Sequence, residues 1–177
     1  MDQATLQLIL TGITASCFGI WILNGFLLPI TGQWVRDHEE GIGTRSDHEE
    51  TEQFYLSHFG PFVYGEGHRG DARYEYGGWI LGRTIFLHRR DHGVQALMEQ
   101  GFPKEIAKRR EGQIQAKLRL NLERQDCLTG SFIPRKVEFT HNPPRVVAVI
   151  DLHAQPRLYK RVDKVKTEVG EQTQGAH

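Results

Sequence analysis

Charge is almost absent from the first 35 residues, where Asp2 is the only acidic or basic side chain. The run from Thr5 to Leu28 contains no Asp, Glu, Lys, Arg or His. A helix of about twenty such residues crosses a hydrocarbon core about 30 Å thick. A cleaved secretory signal would place basic residues before a shorter apolar core, and this chain has none there. We therefore predict a spanning anchor helix within residues 1–35.

Cysteine is scarce, and positive charge near the apolar run lies only on its C-terminal side. Cys17 is in the run and Cys127 is alone in the polar remainder, so no disulfide framework is expected. Arg36 and Arg45 follow the run, and no Lys or Arg precedes it. The positive-inside rule then predicts the N-terminus outside and the soluble domain on the cytoplasmic or matrix face. We expect an inner or other energy-transducing membrane.

Common catalytic motifs are also missing. The sequence has no Gly-rich phosphate loop ending in Lys-Ser/Thr, no Gly-x-Ser-x-Gly turn and no paired-cysteine metal motif. We therefore predict a protein that is not an enzyme and that holds no cofactor. No motif covers enough of the chain to indicate a family.

Small and polar residues in the apolar run point to contacts with other membrane helices. The small residues, in two pairs spaced by four, are Gly12, Ala15, Ser16 and Gly19. Such spacing lets a second helix approach closely. Asn24 carries an amide that needs a partner in lipid, and Trp34 follows the run where an aromatic ring would anchor at the interface.

Residues 36–58 are rich in Gly, Glu and His and contain Asp-His-Glu-Glu twice, at 37–40 and 47–50. From residue 36 to residue 60 the chain has two Arg against seven Asp and Glu, whereas positive charges exceed negative ones by six from residue 61 onward. The ten-residue offset does not return to one face of a helix, which disfavours a shared metal site. We predict an acidic linker over residues 36–58.

Residues 59–162 have the aromatic and β-branched composition of a β-rich domain. We predict about five strands, over 61–64, 73–87, 118–122, 132–140 and 145–152, with a bend at 77–78, turn-like residues 65–71 and a short helical insert after Asp91. This content predicts a small antiparallel barrel or sandwich. The unbroken apolar residues 146–150 predict a central strand covered on both faces, and residues 163–177 predict a disordered polar tail.

Basic residues and histidines near residue 90 supply the candidate ligand sites. The predicted anion-binding residues are Arg89, Arg90, His92, Lys108, Arg109 and Arg110. A metal site formed by His88, Asp91 and His92 is a weaker alternative, because Asp91 is better explained as a helix N-cap. Basic clusters also suit anionic lipid headgroups. Nucleic acid is not expected as a partner, since the aromatic residues fall at core positions.

Two functions remain open. We predict first a non-catalytic, single-pass accessory subunit of a larger membrane complex, whose helix contacts other integral membrane proteins and whose soluble domain and tail contact protein partners. The alternative is a membrane-tethered sensor that binds an anionic small molecule or a metal. A concave pocket lined by converging polar side chains favours the sensor, whereas exposed apolar patches favour the subunit.

Overall fold

The computed structural model describes residues 2–37, 52–69, 72–99, 101–141 and 143–162. Within these ranges, one long helix precedes nine strands and two short helices. In chain order the elements are α1 (Gln3–Leu27), β1 (Gly32–Asp37), β2 (Gln53–Phe59), β3 (Phe62–Arg69), β4 (Ala72–Leu81), β5 (Thr84–His92), α2 (Val94–Glu99), α3 (Lys104–Arg110), β6 (Ile114–Arg124), β7 (Cys127–His141), β8 (Pro144–Asp151) and β9 (Gln155–Arg161).

α1 has the length and composition of a membrane-spanning helix. Its 25 residues extend about 38 Å at 1.5 Å per residue. Asp2 caps the helix, since its Oδ1 accepts a hydrogen bond from the Thr5 backbone N–H at 2.8 Å. Large apolar side chains such as Leu8 and Leu27 are exposed. The prediction of an N-terminal helix long and apolar enough to span a membrane is confirmed.

Eight of the nine strands close into an antiparallel barrel. Strands β1 to β7 pair in sequence order, β7 pairs with β9, and β9 pairs with β1 to complete the ring. The predicted β-rich domain is confirmed, and of the two predicted forms, barrel or sandwich, it is a closed barrel; the predicted number of about five strands is too small.

The long strand predicted over residues 73–87 is two strands. Gly82, with a φ of 61°, lies in the turn between β4 and β5, a conformation that favours glycine. Residues 65–69, predicted as part of a turn, continue β3. Gly65 and Gly67 are there because a Cβ on either would strike the backbone of β2. In this chain several glycines mark close strand packing rather than turns.

Three strands were not predicted at all. β1 crosses the boundary between the predicted anchor region 1–35 and the predicted linker 36–58, β2 lies at the end of that linker, and β9 precedes the predicted tail. Residues 38–51 and 163–177 lie outside the described residues. β1 and β9 each contain a single buried residue, Trp34 and Tyr159, and both strands carry several charged side chains. The sequences of these two strands are therefore polar on average and lack the alternation that predicts a strand.

β8 is not the central strand that its apolar sequence predicted. Among the described strands it pairs only with β7. Val147 is 66% exposed, and Val146, Val149 and Ile150 are also exposed. An unbroken apolar run indicates a strand covered on both faces only where other elements supply the cover.

The barrel has two unlike ends. We call the end with the β2–β3 and β4–β5 turns the helix end, because α1 contacts it there. The opposite end, where β1 and β3 finish and α2 and α3 lie, is the far end. The core is apolar toward the helix end, with residues such as Ile30, Ile80 and Leu122, and polar toward the far end.

The last two turns of α1 are fastened to the helix end. Trp21 donates its Nε1–H to the backbone oxygen of Ile80 at 2.6 Å, and Asn24 donates its side-chain N–H to the oxygen of Gly82 at 3.3 Å. Trp34, predicted to anchor at the interface, is instead fully buried inside the barrel. The strand pairing of β1 turns its ring inward.

Candidate functional site

Inward side chains of six strands surround an open cavity of about 540 Å³ at the far end of the barrel. We call this cavity the arginine mouth, because Arg36, Arg69, Arg89 and Arg157 line it together with Glu52. Strand alternation brings them there. Arg36 is two residues beyond the core residue Trp34, and Arg89 is two beyond Leu87.

Glu52 lies at the base of the arginine mouth and is only 6% exposed. Its Oε1 accepts hydrogen bonds from the Tyr76 hydroxyl at 3.1 Å and from Arg89 Nη1 at 3.4 Å. Its Oε2 accepts one from the Tyr159 hydroxyl at 3.4 Å. A carboxylate buried without such donors would be strongly destabilising. The three donors therefore satisfy both oxygens of the Glu52 side chain and fix it in place.

Arg89 is held between a carboxylate and two aromatic rings. Its Nε and Nη2 donate to the two oxygens of Asp91 at 2.9 and 3.2 Å. Its Cζ lies 4.2 Å from the centre of the Tyr74 ring and 5.0 Å from that of Phe132. Burial opposes the charge of Arg89, but the nearby Asp91 and Glu52 carboxylates outweigh it and raise the pKa of this guanidinium. It is a fixed positive charge.

Arg157 is the guanidinium with bonding capacity to spare. Its Nη2 donates to Gln155 Oε1 at 2.7 Å, and its Cζ lies 5.0 Å from the centre of the Phe132 ring. Its Nε is buried and has no hydrogen-bond partner among the described residues. Burial, with a contribution from Arg36, lowers the pKa of Arg157. A bound anion would relieve both conditions.

The tyrosines below the arginines are donors rather than acids at neutral pH. Burial raises the pKa of Tyr76 well above its ordinary value, and the Glu52 carboxylate acts in the same direction. The same two causes raise the pKa of Tyr159. Both hydroxyls therefore remain protonated and donate hydrogen bonds to Glu52.

Two carboxylates of the described residues, Glu52 and Asp91, meet the guanidinium groups of the arginine mouth, and both bind Arg89. Arg36 and Arg157 also line the cavity, and neither has a carboxylate partner among the described residues. Guanidinium groups bind carboxylate and phosphate oxygens in bidentate fashion. This arrangement suits a small anion.

The predicted anion-binding residues are divided between two places. Arg89 is in the arginine mouth, whereas Arg90 points outward into a second cavity of about 460 Å³. Arg110 and Arg135 also line that outer cavity. Arg110 is 2% exposed, its Nε has no partner among the described residues, and burial lowers its pKa. Alternation along β5 sends adjacent arginines to opposite faces.

The other predicted anion-binding residues do not converge. Lys108 and Arg109 are exposed on α3. His92 lies on the outer face and contacts Glu75, with 3.1 Å between Nε2 and Oε2. Because α3 lies at the far end of the barrel, its basic residues are at the opposite end from α1. Their contact with lipid headgroups stays a prediction.

The candidate metal ligands are also separated. His88 and His92 point outward from β5, while Asp91 points inward and binds Arg89. Asp91 is therefore not a helix N-cap. Among the described residues, no three or more His, Cys, Asp or Glu side chains cluster closely enough to hold a metal ion.

The small residues of α1 remain uncovered. Gly12, Ala15 and Ser16 are exposed, and a Cβ added at Gly12 or Gly19 would meet nothing within 4 Å. Asn24, which we grouped with them, has an intrachain partner in Gly82. Its amide contributes to the junction of helix and barrel.

Most residues of the arginine mouth were not predicted as site residues from the sequence. Glu52 fell in the predicted linker, and Arg36, Arg69 and Arg157 lie in strands, or parts of strands, that were not predicted. A usable signal existed in β5, where Ile85, Leu87 and Arg89 alternate in period two. A charge at an inward position of a strand indicates a polar interior.

Comparisons with known proteins add no relative. No family model matches the sequence, and neither the curated proteins nor the solved structures searched include a match.

Proposed function

We propose that this protein is a membrane-tethered binding domain whose arginine mouth takes a small anion bearing carboxylate or phosphate groups. The convergence of Arg36, Arg69, Arg89 and Arg157 on one cavity supports this proposal. The cavity is within the size range of small-ligand sites. Glu52 and Asp91 fix Arg89 in place, so the site is organised before the ligand arrives.

The role we assign to the mouth is binding rather than catalysis. Its two carboxylates are engaged by Arg89, and the raised pKa values of Tyr76 and Tyr159 keep these residues protonated. Tyr76 and Tyr159 therefore do not exchange protons with a bound anion near neutral pH. Binding of the ligand would be the signal.

Calorimetry on the full-length chain in detergent tests the proposal, with inorganic phosphate, pyrophosphate and citrate as probes. Arg157→Gln should raise the Kd of a probe that binds by about tenfold or more, since a charged hydrogen bond contributes about 1.5–3 kcal/mol. Arg145→Gln, at an exposed position of β8, is the matched control and should leave the Kd unchanged.

Arg90→Gln distinguishes the mouth from the outer cavity. If it weakens binding while Arg157→Gln does not, the anion occupies the outer cavity and the proposal for the mouth is wrong. Binding of none of the three probes at low ionic strength, where charge attraction is least screened, would count against a small-anion site altogether.

An accessory-subunit role is the second candidate, and it is favoured by uncovered apolar surface. The small-residue face of α1 contacts nothing in the described chain, and β8 exposes several apolar side chains. Both surfaces suit protein partners, in the membrane and beside it. The two functions are compatible, since a subunit of a complex can also carry a ligand site.

Co-purification in mild detergent tests this second candidate. Gly19→Leu should reduce recovery of membrane partners, because it fills the small-residue face. Thr14→Leu adds bulk on the opposite side of the helix and should not. Recovery of the unmodified protein alone, as a monomer or homodimer, would contradict the subunit role.

We propose the orientation predicted from Arg36, with the barrel on the cytoplasmic or matrix face of an energy-transducing membrane. Trypsin added to spheroplasts should then leave the barrel intact, whereas trypsin added to inverted vesicles should digest it. The reverse pattern would invert the topology.

A further inference from the structure

We propose that the helix end of the barrel is seated in the lipid headgroup interface through a row of four aromatic side chains. The proposal rests on the tether assigned under the proposed function and does not depend on the arginine mouth. It concerns the outer face of β2 to β5, where the exposed rings lie side by side.

The row crosses four neighbouring strands at a single level. Strand register pairs Phe59 with Phe62, Phe62 with Trp79, and Trp79 with Phe86. Phe59 is 71% exposed, Phe62 59% and Trp79 42%. The Trp79 and Phe86 rings stack with 5.7 Å between their centres. Four adjacent rings on an outer surface form a patch that water does not favour.

Polarity along the same strands changes with distance from the helix end. Two residues further along each strand, the next level holds Ser57, Tyr64, Gly77 and His88. The level after that holds Tyr55, Glu66, Glu75 and Arg90. Each step is about 7 Å at 3.3–3.4 Å per residue. The face therefore passes from fully aromatic to mostly charged within about 14 Å, a gradient that matches a membrane interface.

The aromatic row is continuous with the anchor helix. The Trp21 and Phe62 rings lie 6.0 Å apart, and those of Phe26 and Phe59 lie 5.4 Å apart, both edge to face. A surface in direct contact with a spanning helix is held at the bilayer by that helix. Aromatic rings are the side chains that membrane proteins concentrate at the interface.

The length of α1 sets the depth of the contact. Trp21 is the first helix residue with a hydrogen bond to the barrel. The residues before it, from Gln3 to Ile20, span about 27 Å, close to the hydrocarbon thickness of about 30 Å. When this segment crosses the bilayer, Trp21 and the adjoining row lie at the interface.

Spin labelling of the full-length chain in phosphatidylcholine–phosphatidylglycerol vesicles tests the seating. The background removes the native thiols with Cys17→Ala and Cys127→Ala. Phe62→Cys and Glu66→Cys are matched positions on one face of β3, and Trp79→Cys and Glu75→Cys are the same pair on β4. Collision of the label with oxygen, which enters lipid, is compared with collision with a water-soluble nickel chelate.

We expect labels at Phe62 and Trp79 to collide more with oxygen than with nickel, and labels at Glu66 and Glu75 to show the reverse. Strong nickel collision at all four positions would overturn the proposal. Low collision with both reagents at Phe62 and Trp79 would also overturn it, because it would show a protein partner on the row. A label at Ile13 of α1 reports separately whether the helix itself lies in lipid, so failure of the tether and failure of the seating are distinguishable.

Discussion

At the scale of single residues, the barrel interior depends on one buried carboxylate. Glu52 joins Tyr76, Tyr159 and Arg89, and thereby links β4, β5 and β9 through side chains as well as through backbone pairing. A charge buried at this depth is tolerated because each neighbour is a donor. The same residue lines the arginine mouth, so its substitution should change both the stability of the barrel and the shape of this cavity.

The tyrosine hydroxyls beside Glu52 predict alkaline sensitivity. The folded-state pKa of Tyr76 lies above the unfolded value of 10.0, so the folded chain holds its proton more tightly. The contribution of this proton to the free energy of unfolding is fully present below about pH 10. It declines as pH rises toward the folded-state pKa, by up to about 1.4 kcal/mol per pH unit for each such tyrosine. Denaturant unfolding between pH 8 and 11 measures this slope.

Tyr76→Phe provides the control for that prediction. It removes one ionisable hydroxyl and should make the decline above pH 10 shallower, although the protein starts from lower stability because Glu52 loses a donor. An unchanged slope would show that Tyr76 does not carry the effect.

At the scale of elements, backbone proximity between strands decides which glycines are essential. Gly77 and Gly78 are consecutive in β4, but they face opposite sides of the sheet. A Cβ at Gly78 would overlap the carbonyl of Phe86 on β5, whereas a Cβ at Gly77 would meet nothing within 4 Å. The bend predicted at this pair is therefore a one-sided close approach of two strands.

Substitution of these two glycines should give opposite results. Gly78→Ala should destabilise the barrel by about 1–3 kcal/mol, because β4 and β5 must move apart. Gly77→Ala should change the free energy of unfolding by less than about 0.5 kcal/mol. Thermal unfolding of the full chain measures both, and equal effects would contradict the close approach.

At the scale of the whole molecule, closure of the barrel joins the beginning and the end of the soluble domain. β1 follows the anchor helix directly and pairs with β9, the last described strand. Closure leaves no free edge on these strands. It also places the contacts with α1 and the arginine mouth at opposite ends of the barrel.

Truncation tests this closure. A chain that stops after Val162 retains β9 and should keep its melting temperature. A chain that stops after His153 lacks β9, leaves β1 and β7 each with an unpaired edge, and should lose cooperative unfolding or aggregate. Cooperative unfolding of the shorter chain at an unchanged temperature would show that β9 does not close the barrel.

Local sequence was sufficient for the features that depend on composition and near neighbours. The absence of charge from Thr5 to Leu28 predicts the helix, since a chain segment in lipid must be apolar and must satisfy its own backbone. Period-two alternation predicts a strand over residues 118–122, which forms the middle of β6 (Ile114–Arg124), because one face of that strand is buried. The β-rich class followed from the same reasoning.

Tertiary pairing decided the features that local sequence leaves ambiguous. β1 and β9 have polar sequences and form strands by pairing with each other, whereas β8 has the sequence of a core strand although its apolar side chains are largely exposed. The arginine mouth unites residues from six strands separated by more than a hundred positions, and no short window contains that information. The adjacent residues Arg89 and Arg90 line different cavities. Strand register and barrel closure determine which side chains point into the barrel, and proximity in sequence does not.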